Sequence, residues 1–118
     1  MEQIASLTSI PQWEEALAAS HNQPLFLFKH STNCPTSSGA YEELTNWIED
    51  ARGLFVNIMI VYVIENRSVS NAISEQLGIK HESPQVILLS NGRVLWHESH
   101  WSITYSTLDQ HLGTHCEK

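Results

Sequence analysis

Leu-Phe-Leu-Phe at residues 25–28 and Cys-Pro-Thr-Ser at residues 34–37 are the two stretches that decide the fold. The apolar run predicts a buried strand, and apolar residues at helical spacing follow the cysteine. Cys34 is therefore expected where a strand leads into a helix. The N-terminus of a helix carries unpaired N–H groups and partial positive charge, and both favour a thiolate over a thiol. This placement indicates thiol–disulfide chemistry at Cys34.

Apolar runs along the chain predict four strands. They cover residues 24–29, 54–64, 85–90 and 93–98. The last two are joined by Asn91-Gly92, which is the strongest short signal for a β-hairpin. The sheet is therefore expected to contain one antiparallel pair near its C-terminal end.

Apolar residues that recur at helical spacing predict four helices. Their predicted starts are Ser9, the cysteine motif, Ser68, and either Ser102 or Thr104. Gly53 and Gly78 are expected to end the second and third helices. The order is helix, βαβ, helix, hairpin, helix. It predicts an α/β protein of the thioredoxin-like kind, with a mixed four-stranded sheet and helices on both faces.

Length and charge limit the classes of function. A chain of 118 residues is expected to form a single domain spanning residues 1–118. The net charge is −7 and only six residues are Lys or Arg, which disfavours binding to nucleic acid or to an anionic membrane. The N-terminus does not resemble a signal peptide, and we expect a cytoplasmic protein whose two cysteines are reduced.

Cys34 is the predicted nucleophile, and its neighbours suit a helix start. Thr32 or Asn33 is expected to cap the helix, and Pro35 fits its first turn because proline lacks an N–H group. N–H groups of the first turn and the hydroxyls of the motif could hydrogen-bond the sulfur, and Thr32, Pro35 and Thr36 are the candidate substrate-binding residues beside it. The alternative is a buried cysteine that acts as a small hydrophobic residue.

Ser37 stands where a Cys-x-x-Cys motif has its second, resolving cysteine. With one thiol, Cys34 can only exchange partners: it attacks a mixed disulfide, takes the small thiol and waits for a second external thiol. We expect the Ser37 hydroxyl, and also that of Thr36, to stabilise the thiolate by a hydrogen bond. Cys116 is either a distant resolving thiol or an incidental terminal residue, and the second interpretation is favoured.

Ser83-Pro84 precedes the third predicted strand. In a thioredoxin-like fold, a proline at this point is typically cis and faces the active-site cysteine. The backbone of Ser83 would then be free to pair with a bound peptide or thiol. The alternative is a trans proline that only begins the strand.

Seven histidines raise the question of a metal site. No spacing typical of metal ligands is present, so no metal is predicted. His30 and Lys29 lie closer to the cysteine motif, and either could stabilise a thiolate by its positive charge or simply be solvated.

Five blocks of sequence resemble the YtxJ family of monothiol bacilliredoxins, and the resemblance covers essentially the whole chain. The blocks are Phe28–Ser37, Val69–Asn71, Lys80–Gln85, Trp96–His97 and Ser99–Thr104. The resemblance implies a thioredoxin-like enzyme that removes bacillithiol from S-bacillithiolated proteins. It implies Cys34 as nucleophile, Pro84 as the cis-proline, no bound cofactor, and bacillithiol as co-substrate.

Two other functions remain open from the residues. A monothiol site can hold an iron–sulfur cluster between two subunits, and a thioredoxin-like domain can also be a non-catalytic interaction module. Arsenate-reductase chemistry is set aside, because position 40 is alanine and the next arginine downstream of the nucleophile is Arg52.

Overall fold

The computed structural model describes residues 4–51 and 55–116, the last three of them in their backbone only. The strands are β1 (Ile4–Ser6), β2 (Leu25–His30), β3 (Asn57–Tyr62), β4 (Gln85–Ser90) and β5 (Arg93–Ser99). The helices are α1 (Ile10–Ala19), α2 (Pro35–Asp50), α3 (Arg67–Leu77) and α4 (Tyr105–Cys116), and a 3₁₀ turn at His100–Ser102 precedes α4.

The strands form one mixed sheet in the order β1-β3-β2-β4-β5. β2 runs parallel to β3, while β4 runs antiparallel to both β2 and β5. The predicted α/β class and the parallel βαβ unit are confirmed, but the predicted count of four strands is wrong. The additional strand is β1, which pairs in parallel with β3 at the edge of the sheet. Its three residues are at least partly exposed, so they give no apolar run in the sequence.

β2 is buried on both faces, and this explains its continuous apolar sequence. Because side chains alternate along a strand, Phe26 and Phe28 point to one face while Leu25 and Leu27 point to the other. The first pair packs in a core that includes residues of α2 and α4. The second pair packs in a core that includes residues of α1 and α3. The sheet is thus covered by helices on both sides, as predicted.

Local signals placed several element ends correctly. Ser9 caps α1 by accepting a hydrogen bond from the Gln12 N–H at 3.3 Å. Gly78 ends α3 in the left-handed conformation, with φ of 68°. Asn91 and Gly92 form the hairpin turn with φ of 55° and 74°, as their types favour.

The first residues of α3 and α4 can be compared with the predicted helix starts. α3 begins after Asn66, two residues before the predicted cap at Ser68. Thr104 precedes α4, and its Oγ1 accepts the Thr107 N–H at 3.2 Å, whereas Ser102 lies in the 3₁₀ turn. The predicted stop at Gly53 lies outside the described residues. Within the described part of the chain, none of the helices combines the length and the apolar character needed to cross a membrane.

Candidate active site

Cys34 is a half-buried free thiol at the N-cap position of α2. Its backbone is extended, with φ of −117° and ψ of 119°, and its carbonyl accepts the Ser38 N–H at 3.0 Å. Pro35 is exposed at the first helical position, as expected. The sulfur therefore stands at the start of a 16-residue helix, where the helix dipole favours negative charge.

The predicted cap at Thr32 or Asn33 is wrong. Cys34 itself occupies the N-cap position, and no side chain accepts a hydrogen bond there. Thr32 and Asn33 are exposed in the turn that connects β2 to α2. Their side chains lie one or two positions too early to reach the orphan N–H groups of the helix. Substrate binding by Thr32 stays a prediction.

Ser37 is fully buried, and its hydroxyl links the start of α2 to the end of β2. Its Oγ accepts the Ser31 N–H at 3.0 Å and lies 2.7 Å from His30 Nδ1. Because a buried O–H needs an acceptor, we assign the Ser37 proton to a hydrogen bond donated to His30 Nδ1. The His30 ring then carries its own proton on Nε2.

The expected hydrogen bond from Ser37 to the Cys34 sulfur is not formed within the described residues. The hydroxyl has one proton, and by the assignment above it is donated in the hydrogen bond to His30 Nδ1. Ser37 therefore acts on the site by holding the first turn of α2 in place. Thr36 is half-buried and faces a pocket beside α2.

His30 is 7% exposed and sits among aromatic rings. Its ring stacks on Phe28 and Tyr41, with centroids 5.2 Å away in each case, and meets Tyr62 edge-on at 5.8 Å. Burial lowers the pKa of His30 below its ordinary value, and the nearby Glu65 carboxylate only partly opposes this. The imidazole is therefore neutral at pH 7, and His30 is neither the imidazolium nor the solvated side chain that the sequence left open.

Lys29 points to the opposite face of the sheet and is fully buried. Its Nζ lies 3.0 Å from the Ser70 carbonyl, 2.6 Å from Ser74 Oγ and 3.3 Å from His81 Nδ1. These three partners match the three N–H groups of an ammonium ion. Lys29 is therefore neither solvated nor available to the thiolate, and it ties β2 to α3 and to the segment before Pro84.

A buried lysine and an exposed histidine meet at this contact. Burial lowers the pKa of Lys29 to about 8. The pKa of His81 is lowered by burial first and then by the charges of Lys29 and Arg67, while Glu82 opposes the shift. At pH 7 the pair thus combines a charged Lys29 with a neutral His81 that accepts its hydrogen bond.

The Ser83–Pro84 peptide bond is cis, and Pro84 is buried. Gln85 pairs with Lys29 across the sheet, so Pro84 lies beside the end of β2 from which the chain runs to Cys34. The hydroxyl oxygen of Ser83 is buried and has no hydrogen-bond partner among the described residues. The roles of Ser83 and Pro84 in substrate binding stay predictions.

No group of three or more His, Cys, Asp or Glu side chains within residues 4–51 and 55–113 is arranged to hold a metal ion. His111 instead packs flat on Trp96, with ring centroids 4.2 Å apart. The side chain of Cys116 lies outside the described part, so its proposed role as a resolving thiol is not tested.

The architecture is the thioredoxin fold. A thioredoxin from Malassezia sympodialis superposes with a TM-score of 0.74 at 18% identity, covering 95% of this chain and 90% of that one. The oxidised mitochondrial thioredoxin 3 of Saccharomyces cerevisiae gives a TM-score of 0.73 at 15% identity, covering 96% of each chain.

The chain belongs to the monothiol bacilliredoxin family. The family model described as monothiol bacilliredoxin BrxC matches residues 5–108. The chain is also similar to a solved candidate oxidoreductase with a thioredoxin fold, with a TM-score of 0.78 and 31% identity, covering 92% of this chain and 93% of that one. Family and fold together support a thiol redox role, and the resemblance seen in the sequence is confirmed.

Replacing Ser37 by alanine should destabilise the protein by about 1–3 kcal/mol, because the partly buried Ser31 N–H and the buried His30 Nδ1 lose their partner. Urea unfolding of the reduced protein measures this. Ser38→Ala is the matched control: Ser38 is exposed, and the change should stay within about 0.5 kcal/mol. Equal stability of the two variants would contradict the assigned hydrogen bonds.

Stability should depend on the titration of Lys29. Between about pH 8 and its ordinary value of 10.5, the unfolded lysine keeps a proton that the folded one has released, so this group makes the protein more stable as pH rises. Relative to Lys29→Met, the wild-type free energy of unfolding should therefore increase from pH 7 to pH 9.5. Lys80→Met, which removes a lysine from an exposed position, is the matched control. Parallel pH curves for wild type and Lys29→Met would contradict this prediction.

Proposed function

We propose that this protein is a thiol–disulfide oxidoreductase that removes bacillithiol from S-bacillithiolated proteins. The observation that carries the proposal is the cysteine motif itself: Cys34 stands at the helix N-terminus, and a buried, hydrogen-bonded Ser37 occupies the resolving position. Membership of the monothiol bacilliredoxin family supports the choice of small thiol.

In the first step the Cys34 thiolate attacks the bacillithiol sulfur of the mixed disulfide. A new S–S bond joins Cys34 to bacillithiol, and the bond to the target protein breaks. The target cysteine leaves as a thiolate, which takes a proton from solvent. One disulfide replaces another: Cys34 is oxidised to a mixed disulfide as the target cysteine is reduced to a thiol, so no further oxidant or reductant is needed in this step.

In the second step a thiol from solution attacks the bacillithiol sulfur on Cys34. Cys34 leaves as a thiolate, and bacillithiol leaves joined to the incoming thiol as a disulfide. Reduction of that external disulfide requires another reductant, of the thiol or dithiol class. The Ser37 hydroxyl has no sulfur to form the intramolecular disulfide that a dithiol site would use, so an external thiol is required.

The residues around the sulfur have separate proposed roles. Thr36 and Pro35, in the first turn of α2, and Thr32, in the turn before it, line the approach to Cys34. Ser83, next to the cis Pro84, offers backbone groups to the extended chain of the target. Ser37 positions Cys34 by fixing the start of the helix.

Further parts of the proposal concern the setting of the reaction. We place it in the cytoplasm, where thiols are kept reduced. S-bacillithiolated proteins and bacillithiol are the proposed partners, with no bound cofactor. A net charge of −7 argues against nucleic acid or an anionic membrane as a partner.

The reaction can be followed by incubating the reduced protein with a protein–bacillithiol mixed disulfide and weighing both products. Bacillithiol should move to Cys34, and the target should regain a free thiol. Cys34→Ala should abolish the transfer, whereas Cys116→Ser should retain it. Failure of bacillithiol to move to the wild-type protein, or its removal by Cys34→Ala, would refute the proposal.

A further inference from the structure

A pocket of about 280 Å³ opens beside the active site. One wall is the first half of α2, and the other is the segment that connects β5 to α4. Each wall is connected to a residue of the candidate active site. Thr36 is two positions after Cys34, and the His100 backbone N–H donates to the Pro84 carbonyl at 3.0 Å. A target protein whose disulfide reaches Cys34 therefore meets this pocket as well.

Trp101 forms one side of the pocket and is 78% exposed. Exposed apolar surface that lines a groove and is rimmed by polar residues often marks a binding site, and this ring adjoins the apolar floor of the pocket. Beneath it, Ala40 and Ile103 are each 3% exposed and form an apolar floor. The pocket can therefore hold the apolar stem of a long side chain, with the indole face beside it.

Two carboxylates line the pocket, together with the hydroxyls of Thr36 and Thr104 and the His100 ring. Glu42 is exposed at the rim, and Glu43 holds its carboxylate in place by accepting the Tyr105 N–H at 2.6 Å. His100 Nδ1 lies 3.7 Å from Glu82 Oε1, a carboxylate that is not part of the pocket lining. None of the pocket's described lining residues is a lysine or an arginine. A positively charged group is therefore favoured here, and an anion is repelled.

We propose that this pocket binds a lysine or arginine side chain of the target protein, next to its S-thiolated cysteine. The inference rests on the proposed function, because it concerns how the same site selects its substrates. An aromatic face attracts a cation, and the carboxylates add an ion pair. The choice of occupant also agrees with target chemistry, since cysteines reactive enough to form mixed disulfides often lie beside lysine or arginine.

The test uses two synthetic peptides that carry bacillithiol on a single cysteine. One has arginine at the positions flanking the cysteine, and the other has glutamine there. The wild-type protein should react with the arginine peptide about five- to tenfold faster at low salt, as expected from one cation–π contact and one screened ion pair. Raising the salt concentration should reduce this ratio.

Substitutions in the pocket test whether its residues cause the preference for the arginine peptide. Trp101→Ala and Glu42→Gln should each lower the arginine-to-glutamine rate ratio, and the double variant should bring it close to one. Glu14→Gln removes the same charge from an exposed position on α1, across the sheet, and should leave the ratio unchanged. Equal rates for the two peptides with the wild type, or a ratio that survives in the double variant, would overturn the inference.

A binding measurement distinguishes this inference from the proposed function. Fluorescence anisotropy of the same peptides, labelled and in reduced form, can be measured with Cys34→Ser, which carries out no exchange. The arginine peptide should bind the Cys34→Ser protein more tightly, and adding Trp101→Ala and Glu42→Gln together should remove the difference. This result would support the pocket even if bacillithiol never moved, and equal binding of both peptides would refute it even if bacillithiol did.

Discussion

The hydroxyl of Ser37 is the contact on which the geometry of the site depends. It is buried between the Ser31 N–H and His30 Nδ1, so it joins the first turn of α2 to the last residue of β2. Cys34 lies between these two attachments and is thereby held at the N-cap position. Ser37, at the position of a resolving thiol, thus has a structural role, and the proposed reaction finishes with a thiol from outside the protein.

Two neighbouring residues of β2 connect this site to both faces of the sheet. His30 reaches the face covered by α2, where aromatic rings keep its imidazole neutral. Lys29 reaches the other face, where three hydrogen-bond acceptors compensate for its buried charge. Because one of them belongs to His81, two residues before Ser83, Lys29 also steadies the segment that leads to the cis peptide bond. Neither base acts as a charge beside the sulfur.

Signals that depend on a few adjacent residues were readable from the sequence. Gly78 and Asn91-Gly92 were placed correctly because their backbone conformations require those residue types. The strand at Ile4–Ser6 was missed because pairing with β3, more than 50 residues away, is what makes it a strand. The burial of Lys29 and the use of the Ser37 hydroxyl were missed for a similar reason. Their partners are determined by tertiary packing, and only the position of Lys29 in a strand with apolar side chains on both faces indicated that it points inward.

The central claim is that Cys34 is the reacting thiol of the protein and that a second thiol must come from solution. The most direct measurement starts from protein carrying bacillithiol on Cys34 and follows its release at increasing concentrations of an external thiol. The release rate should rise in proportion to the thiol concentration and extrapolate to zero without it, equally in wild type and Cys116→Ser. Release at a finite rate with no external thiol would show that a resolving group lies within the chain, and would contradict the account.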